Sequence, residues 1–291
     1  MFIAIDIGAT NIRVSSYGSL KSTKYNKKIV LPATDNQPYE LAVQNISKVI
    51  KGLSGKDGIE GIAISMSGVI DPKRKIIKRT AAYPDWNGHK LSEDLGMLFS
   101  CKNAIEGDAV CAGLGEKFTG KGKDFNSIGF VIVGSGVGAV RIRQYHDKTL
   151  VYPTEFGHIP IVADGEKCNC GQRGCIQAYA SGLAMKALYN EKAEHVQNKE
   201  IWVVMSQHLT QALMSFLHMD YVETFIFGGG IAINQEAFVD RLLKNIKAML
   251  MERFPKQIPK LQTSIFLDDA GSIGSLMLLR DDLHIINMNY R

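Results

Sequence analysis

Residues 2–16 read FIAIDIGATNIRVSS and hold the pattern that decides the fold. A short apolar strand runs into a Gly/Thr/Asn turn at 8–11, after which apolar and polar residues alternate as in a second strand. The same plan returns at 127–143, where a strand, the turn Gly134-Ser135-Gly136-Val137-Gly138 and an alternating strand follow one another. Two copies of one strand-turn-strand unit predict two related halves.

Strands and helices alternate between and around these two units. Apolar spacing predicts a helix over 39–53, a strand over 59–65, a short strand over 104–106 and a helix after Asp108. This alternation predicts an α/β protein. A further glycine turn, at 227–232, follows a predicted strand, and its flat backbone suits a flat ligand such as a purine.

The predicted architecture has two lobes. We expect a smaller N-terminal α/β lobe over residues 1–118 and a larger α/β lobe over 119–270. The C-terminal segment 271–291 is expected to be helical and to pack back on the first lobe. The helical stretch around 201–219 is rich in Met, Leu and Phe, which indicates core packing.

Composition and charge exclude several classes of function. The chain has 291 residues, of which 45% are hydrophobic, and a formal net charge of +5. No apolar run approaches the ~20 residues that a membrane-spanning helix needs. The densest basic run, at 73–79, is short and lacks interleaved aromatic residues. The sequence therefore predicts a cytoplasmic protein that binds neither nucleic acid nor membrane.

One cysteine cluster predicts a metal site. The stretch 168–175 reads CNCGQRGC, and His158 lies ten residues before its first cysteine. Three thiolates and an imidazole suit one tetrahedral zinc ion and leave no open position for water, so the zinc is predicted to be structural. The predicted ligands are His158, Cys168, Cys170 and Cys175. The alternative is buried cysteines in a turn-rich loop; a disulfide fits poorly because three cysteines cannot all pair.

Each glycine turn can also hold phosphate, because residues without a Cβ let backbone amides approach an oxyanion. Two nucleotide-binding motifs are nevertheless a poor match. At 134–138 the third glycine of a Rossmann fingerprint comes one residue early and a strand follows. At 115–121 a P-loop spacing ends in Gly122, where Ser or Thr would bind magnesium.

Taken together and in order, the motifs resemble the ROK family of repressors, open reading frames and sugar kinases, in its zinc-containing subgroup. The resemblance spans residue 6 to about residue 274, and the Glu155-Phe156-Gly157-His158 motif with the cysteine loop is its specific part. The other matching motifs are Asp6-Ile7-Gly8-Ala9-Thr10-Asn11, Ser67-Gly68-Val69-Ile70-Asp71, Glu106-Gly107-Asp108-Ala109, 134–138 and Phe227-Gly228-Gly229-Gly230.

The resemblance implies an actin-like ATPase (ribonuclease H-like) fold in which ATP and a hexose meet in a central cleft between two lobes. It implies that ATP is bound with Mg²⁺ and that Asp6 lies near that ion; the alternative for Asp6 is a carboxylate that satisfies turn amides. It also implies a homodimer. The residues implied to bind ATP and its phosphates are Gly8, Thr10, Asn11, Gly134, Ser135, Gly136, Gly229 and Gly230.

Asp108 is the predicted catalytic base, which accepts the proton of the sugar's 6-hydroxyl as the γ-phosphoryl group moves. Its alternative role is an N-cap, because it stands between a strand and a helix pattern. The residues implied to bind the sugar are Asp108, Glu155, His158, Gln177 and Gly68.

Three departures from the family pattern leave the hexose open. Gly107 stands where these kinases usually have Asn, Gln177 stands where they usually have Glu, and Ala82-Tyr83-Pro84 replaces a segment with a sugar-facing Asn. A glucose-like hexose, allose and N-acetylmannosamine are all compatible. A non-catalytic sugar-binding protein is the main alternative. A repressor is disfavoured because the first hairpin begins at residue 2, which leaves no helix-turn-helix segment before it.

Overall fold

Two β-sheets with helices around and between them form the described part of the chain. The computed structural model describes residues 1–32, 37–55, 57–71, 73–80, 82–234, 236–250 and 258–286. The strands are β1 Phe2–Ile7, β2 Asn11–Tyr17, β3 Lys27–Pro32, β4 Gly61–Met66, β5 Val69–Asp71, β6 Ile76–Arg79, β7 Lys102–Gly107, β8 Ser127–Val133, β9 Val137–Tyr145, β10 Lys148–Thr154, β11 Thr224–Gly228, β12 Lys260–Thr263 and β13 Leu283–Ile285.

The helices follow the predicted alternation with the strands. They are α1 Tyr39–Ser54, α2 Leu91–Phe99, α3 Asp108–Thr119, α4 Gln177–Ala180, α5 Gly182–Tyr189, α6 Lys199–Met219, α7 Gly230–Asn234, α8 Glu236–Leu250 and α9 Ala270–Leu276. In α1, Ala42, Ile46, Ile50 and Leu53 are buried, which is the apolar stripe of a helix packed on a sheet. No helix among the described residues is both long and apolar enough to cross a bilayer.

The two large sheets share one strand order. The first sheet runs β3-β2-β1-β4-β7 and the second runs β12-β11-β8-β9-β10-β13. In each, three consecutive strands form an antiparallel meander, and two later strands add in parallel beside the first of the three. The repeat therefore extends from the two hairpins to whole sheets, with β13 as an extra parallel strand beside β10.

Helices α3 and α9 cross between the two sheets. α3 packs against β8 and β9 of the second sheet, α9 packs against β1 and β4 of the first, and the two helices contact each other. A Cβ at Gly274 would overlap the carbonyl oxygen of Cys111, so glycine is needed for this close crossing. Asp108, the first residue of α3, thus lies where the chain leaves the first sheet for the second.

The C-terminal segment differs from the predicted helix over 271–291. α9 ends at Leu276, a 3₁₀ turn covers Met277–Leu279, and β13 then pairs with β10. The amide of Ile286 donates to the carbonyl oxygen of Val151 at 2.7 Å, so an open sheet edge provides hydrogen bonds that compete with the helix. Residues 287–291 lie outside the described residues.

Candidate active site

Asp108 lies where two cavities meet. One has a volume of about 290 Å³ and the other about 190 Å³, and Asp108 is the residue that lines both. Gly107 stands in the cap position of α3, immediately before Asp108. Its Oδ1 accepts a hydrogen bond from the amide of Ala109 at 2.7 Å. Burial raises the pKa of Asp108 to about 6, so this carboxyl group can exchange a proton near neutral pH.

The larger cavity brings together the residues that the resemblance assigns to the sugar. Gly68, Glu155, His158 and Gln177 all line it. Gly68 has a φ of 143°, and a Cβ there would lie 2.5 Å from the carbonyl oxygen of Arg79, so this loop requires glycine. The Oε2 atom of Glu155 lies 3.9 Å from Nε2 of His158. Several hydrogen-bonding groups around a small concave space suit a ligand with many hydroxyls.

Glu106 also lines the larger cavity, although the sequence reasoning did not assign it to the site. Its Oε1 accepts a hydrogen bond from the amide of Gly107 at 2.9 Å. Within the described part of the chain, its Oε2 is buried and has no hydrogen-bond partner. Burial raises the pKa of Glu106 to about 7, and the charge of Asp71 adds to that effect. A buried, incompletely paired carboxyl group of this kind is typical of a ligand site.

The carboxylate of Asp6 and the guanidinium of Arg13 line the smaller cavity. Asp6 and Arg13 are direct cross-strand partners in the first hairpin, and Nη1 of Arg13 lies 3.3 Å from Oδ2 of Asp6. Burial raises the pKa of Asp6, while Arg13 acts in the opposite direction. Gly8 and Gly229 line the same cavity. Two carboxylates, one permanent cation and glycine backbone therefore surround this space.

Sequence reasoning missed Arg13 as a site residue. The signal was present, because counting residues outward from the turn at 8–11 places Arg13 opposite Asp6. Alternating side chains in a strand then put the two on the same face of the sheet.

A third cavity, of about 590 Å³, adjoins the second glycine turn. Gly134, Ser135 and Gly230, three of the residues predicted to bind the nucleotide, line it. The sequence reasoning missed Trp202 and Lys186, which also line it, because helix residues far along the chain carry no local motif. Three of the predicted nucleotide residues, Thr10, Asn11 and Gly136, lie in the two turns but do not line these three cavities.

The predicted metal ligands converge on one point. The ligand atoms of His158, Cys168, Cys170 and Cys175 all lie within 4.8 Å of one another. Sγ of Cys170 and Sγ of Cys175 are 3.7 Å apart, and Sγ of Cys168 lies 3.5 Å from Nδ1 of His158. Zn–S bonds of about 2.3 Å put the sulfurs of a tetrahedral site about 3.8 Å apart. The donor set and its spacing therefore suit zinc.

Two glycines shape the cysteine loop. Gly171 and Gly174 have φ values of 97° and 76°, which glycine adopts at little cost. A Cβ at Gly174 would also overlap the carbonyl oxygen of Val162. The amide of Gly171 donates to the carbonyl oxygen of Cys168 at 3.0 Å. The loop is thereby folded back so that its three sulfurs face the imidazole.

The chain belongs to the ROK family, because the model of that family matches residues 2–282. The predicted family is thereby confirmed. A glucokinase of Thermotoga maritima is 24% identical in an alignment 312 positions long, which covers 96% of this chain and 97% of that protein. An N-acetylmannosamine kinase of Vibrio cholerae is 27% identical over 277 residues, which cover 84% of this chain and 89% of that protein.

Solved structures confirm the predicted fold. A ROK family glucokinase from Streptomyces griseus, in complex with glucose and AMPPNP, matches with a TM-score of 0.75 at 21% sequence identity. The match covers 95% of this chain and 98% of that one. The two sheets and the helices around them therefore form the actin-like ATPase fold.

Proposed function

We propose that this protein is an ATP-dependent hexose kinase that transfers the γ-phosphoryl group of ATP to the 6-hydroxyl of its sugar. One observation carries the proposal: Asp108 is the residue shared by the cavity with the sugar-type lining and the cavity with the Asp6–Arg13 pair. A base in that position lies between an acceptor hydroxyl and a terminal phosphate, which is the geometry that phosphoryl transfer requires.

In the proposed reaction, the sugar 6-oxygen forms a bond to the γ-phosphorus and the bond from that phosphorus to the bridging oxygen of ADP breaks. Asp108 takes the hydroxyl proton, and its raised pKa, about 6, leaves it ionised and basic at pH 7. Arg13 stabilises the negative charge of the phosphoryl group as it moves. The glycine turns present backbone amides to the phosphates.

Asp6 is the residue that would hold Mg²⁺ supplied with the nucleotide. Carboxylate and phosphate oxygens are the ligands that this hard cation prefers, and the ion would neutralise phosphate charge. The buried position of Asp6 fits the role: burial raises its pKa, which shows that its charge lacks full compensation by the protein. Added positive charge would favour the ionised form.

The four-residue cluster is proposed to hold structural zinc, which would fix the segment that carries Glu155. His158 belongs both to the cluster and to the lining of the larger cavity. The metal would thereby restrict the side chains that recognise the sugar.

For the hexose itself, we propose glucose, allose or N-acetylmannosamine, and Gly107 is the residue that separates them. Among the described residues other than its two chain neighbours, a Cβ at Gly107 would meet only the carbonyl oxygen of Gly68 within 4 Å, at 3.8 Å. The site therefore has room beside Gly107 that an asparagine would fill. Relatives named for glucose and for N-acetylmannosamine support both ends of this range.

The test is initial-rate ATP turnover with a panel of sugars: glucose, allose, mannose, N-acetylmannosamine, N-acetylglucosamine and a β-glucoside. We expect turnover with one sugar to exceed the others by at least about tenfold in kcat/KM, which corresponds to ~1.4 kcal/mol of discrimination. The Gly107→Asn variant should shift that preference toward the sugar with the smallest substituents. Binding of a sugar without ATP consumption would favour the non-catalytic alternative and overturn the proposal.

A further inference from the structure

Gln177 connects the cysteine loop to the second glycine turn. Its Oε1 accepts a hydrogen bond from the amide of Val137 at 3.1 Å. Its Nε2 donates to Oδ1 of Asn169 at 3.0 Å. Val137 lies in the turn 134–138, and Asn169 stands between Cys168 and Cys170. One side chain therefore spans the gap between the proposed zinc loop and a proposed phosphate-binding turn.

The two bonds need an amide. The Val137 amide can only donate, so it requires an acceptor, and the Oδ1 atom of Asn169 can only accept, so it requires a donor. A glutamine side chain supplies both groups, whereas a carboxylate supplies acceptors alone. The glutamine at this position therefore has a defined structural use in this chain, different from that of an acid.

The turn is built to fit this side chain. A Cβ at Gly136 would lie 2.9 Å from Oε1 of Gln177, and one at Gly157 would lie 3.4 Å from the same atom. The main chain of Gln177 is also fixed, because its carbonyl oxygen accepts a hydrogen bond from the Ser181 hydroxyl at 2.7 Å. Packing and hydrogen bonds thus hold the amide in one orientation.

We propose that Gln177 is a positioning residue that couples metal occupancy of the cysteine loop to the geometry of the glycine turn at 134–138, and so to the binding of nucleotide phosphate. Removal of the metal frees Asn169, weakens its bond to Gln177, and loosens the Val137 amide. The inference rests on the proposed function for the zinc site and for the turn as a phosphate site. The metal would thus affect nucleotide binding as well as sugar binding.

The first test is hydrogen–deuterium exchange of peptides that cover 134–138, in zinc-loaded and chelator-treated protein. Wild type should exchange about fivefold faster in this turn after chelation, as expected when one hydrogen bond is lost. The Gln177→Ala variant should exchange fast in both metal states. A matched variant, Gln207→Ala, removes an exposed glutamine of α6 in the same lobe and should behave as wild type. The proposal is overturned if chelation accelerates exchange equally in wild type and Gln177→Ala, or if it does not accelerate exchange in wild type.

A second test needs no metal removal and covers the case in which the chelated protein unfolds. Asn169→Ala, Gln177→Ala and the double variant are compared by ATP affinity without sugar, with adenosine as the ligand that lacks phosphate. Each single variant should weaken ATP binding about threefold to tenfold. The double variant should bind ATP as tightly as the single variants do. Adenosine binding should not change in any of the three. Additive losses show that the two residues act separately and overturn the coupling.

These readouts separate the inference from the proposed function. If no hexose is phosphorylated, the kinase proposal fails while the exchange pattern of the turn still decides the role of Gln177. If a hexose is phosphorylated but the exchange of the turn is independent of metal in wild type, the kinase proposal stands and the coupling fails.

Discussion

The two glycine turns come from equivalent hairpins but carry different chemistry. In the first hairpin, the second residue pair from the turn is Asp6 and Arg13. In the second hairpin, the pair at the same place is Ile132 and Gly138. The first hairpin therefore carries a charged pair next to its turn, whereas the second hairpin has an apolar side chain and a glycine at the same place.

The two turns also differ in how they are supported. Both turns close on themselves: the Gly8 amide donates to the carbonyl oxygen of Asn11 at 3.0 Å, and the Gly134 amide donates to that of Gly136 at 2.9 Å. The first turn is also held by the Tyr83 hydroxyl, which donates to the Gly8 carbonyl oxygen at 2.9 Å. The second turn is held by the start of α5, where the amides of Gly182 and Leu183 donate to the carbonyl oxygens of Gly134 and Ser135. A turn without charged side chains depends on backbone orientation, and these bonds fix that orientation.

Asp108 stands between the two hairpins, and its loss should have the largest effect. Asp108→Asn retains the shape but removes the base, so kcat should fall by about 10²–10⁴-fold, while sugar affinity stays within about threefold. Steady-state kinetics measure kcat, and calorimetry measures the sugar affinity. Asp147→Asn, at an exposed aspartate between β9 and β10, is the control. Wild-type turnover in Asp108→Asn would remove Asp108 from the mechanism and leave the two hairpins without a shared catalytic group.

Arg13 tests whether charge on the first hairpin acts on the reaction. Arg13→Ala should lower kcat by about 10²-fold, the size seen when one group that stabilises transition-state charge is removed. Arg13→Lys keeps the charge and should lose less. Lys27→Ala, an exposed cation on the neighbouring strand β3, should leave kcat unchanged. Guanidinium added to Arg13→Ala should restore part of the rate; a fall in thermal stability with unchanged kcat would assign Arg13 a purely structural role.

The pH dependence follows from the raised pKa of Asp108. A base acts only when ionised, so kcat/KM should rise with pH and level off above about 6, the pKa that burial gives Asp108. Below that pH the rate should fall about tenfold per unit. Glu106, with a pKa of about 7, could shift this limb. The Glu106→Gln variant separates the contributions of the two carboxyl groups. If the midpoint of the rise in kcat/KM moves away from pH 6 in that variant, the pH profile is assigned to Glu106.

The same shift has a consequence for stability. Burial makes the folded state hold the Asp108 proton more tightly than the unfolded state does. The contribution of Asp108 to stability is therefore full at low pH and falls as the pH rises from about 4 to about 6. In Asp108→Asn the fall of stability over this pH range should be smaller than in wild type, because Asp6 and Glu106 still have raised pKa values; denaturant titration at several pH values measures the difference.

Sequence patterns predicted the parts of the fold that local physics determines. The hairpin turns have glycines, α1 has an apolar stripe, and β1 is apolar from Phe2 to Ile5 because both of its faces are covered. β3 escaped prediction because it lies exposed at a sheet edge and carries two lysines. β13 escaped because its pairing with β10 joins segments more than a hundred residues apart.

The candidate site divides in the same way. The cysteine loop and the motifs around Asp6 and Asp108 are local in sequence. In the structure the three cysteines converge with His158, and Asp6 and Asp108 line one cavity. Trp202 lines its cavity through tertiary packing that no local motif encodes. Glu106 belongs to the Glu106-Gly107-Asp108-Ala109 motif, but only the structure shows that its side chain lines the larger cavity. The hydrogen bonds of Gln177 could not be foreseen either, since they depend on where two separate loops meet.

The support of the second turn can be tested at the smallest scale with one methyl group. In Gly136→Ala, the new Cβ would lie 2.9 Å from Oε1 of Gln177, so either the amide or the turn must shift. ATP affinity should weaken about threefold to tenfold, the range expected when one hydrogen bond is lost, while sugar affinity changes less. Gly52→Ala is the control, because no described atom outside its chain neighbours and the backbone of its own helix lies within 4 Å of the added Cβ. Unchanged ATP affinity in Gly136→Ala would show that the second turn tolerates displacement, and that its backbone orientation contributes less to phosphate binding than the charges of the first hairpin.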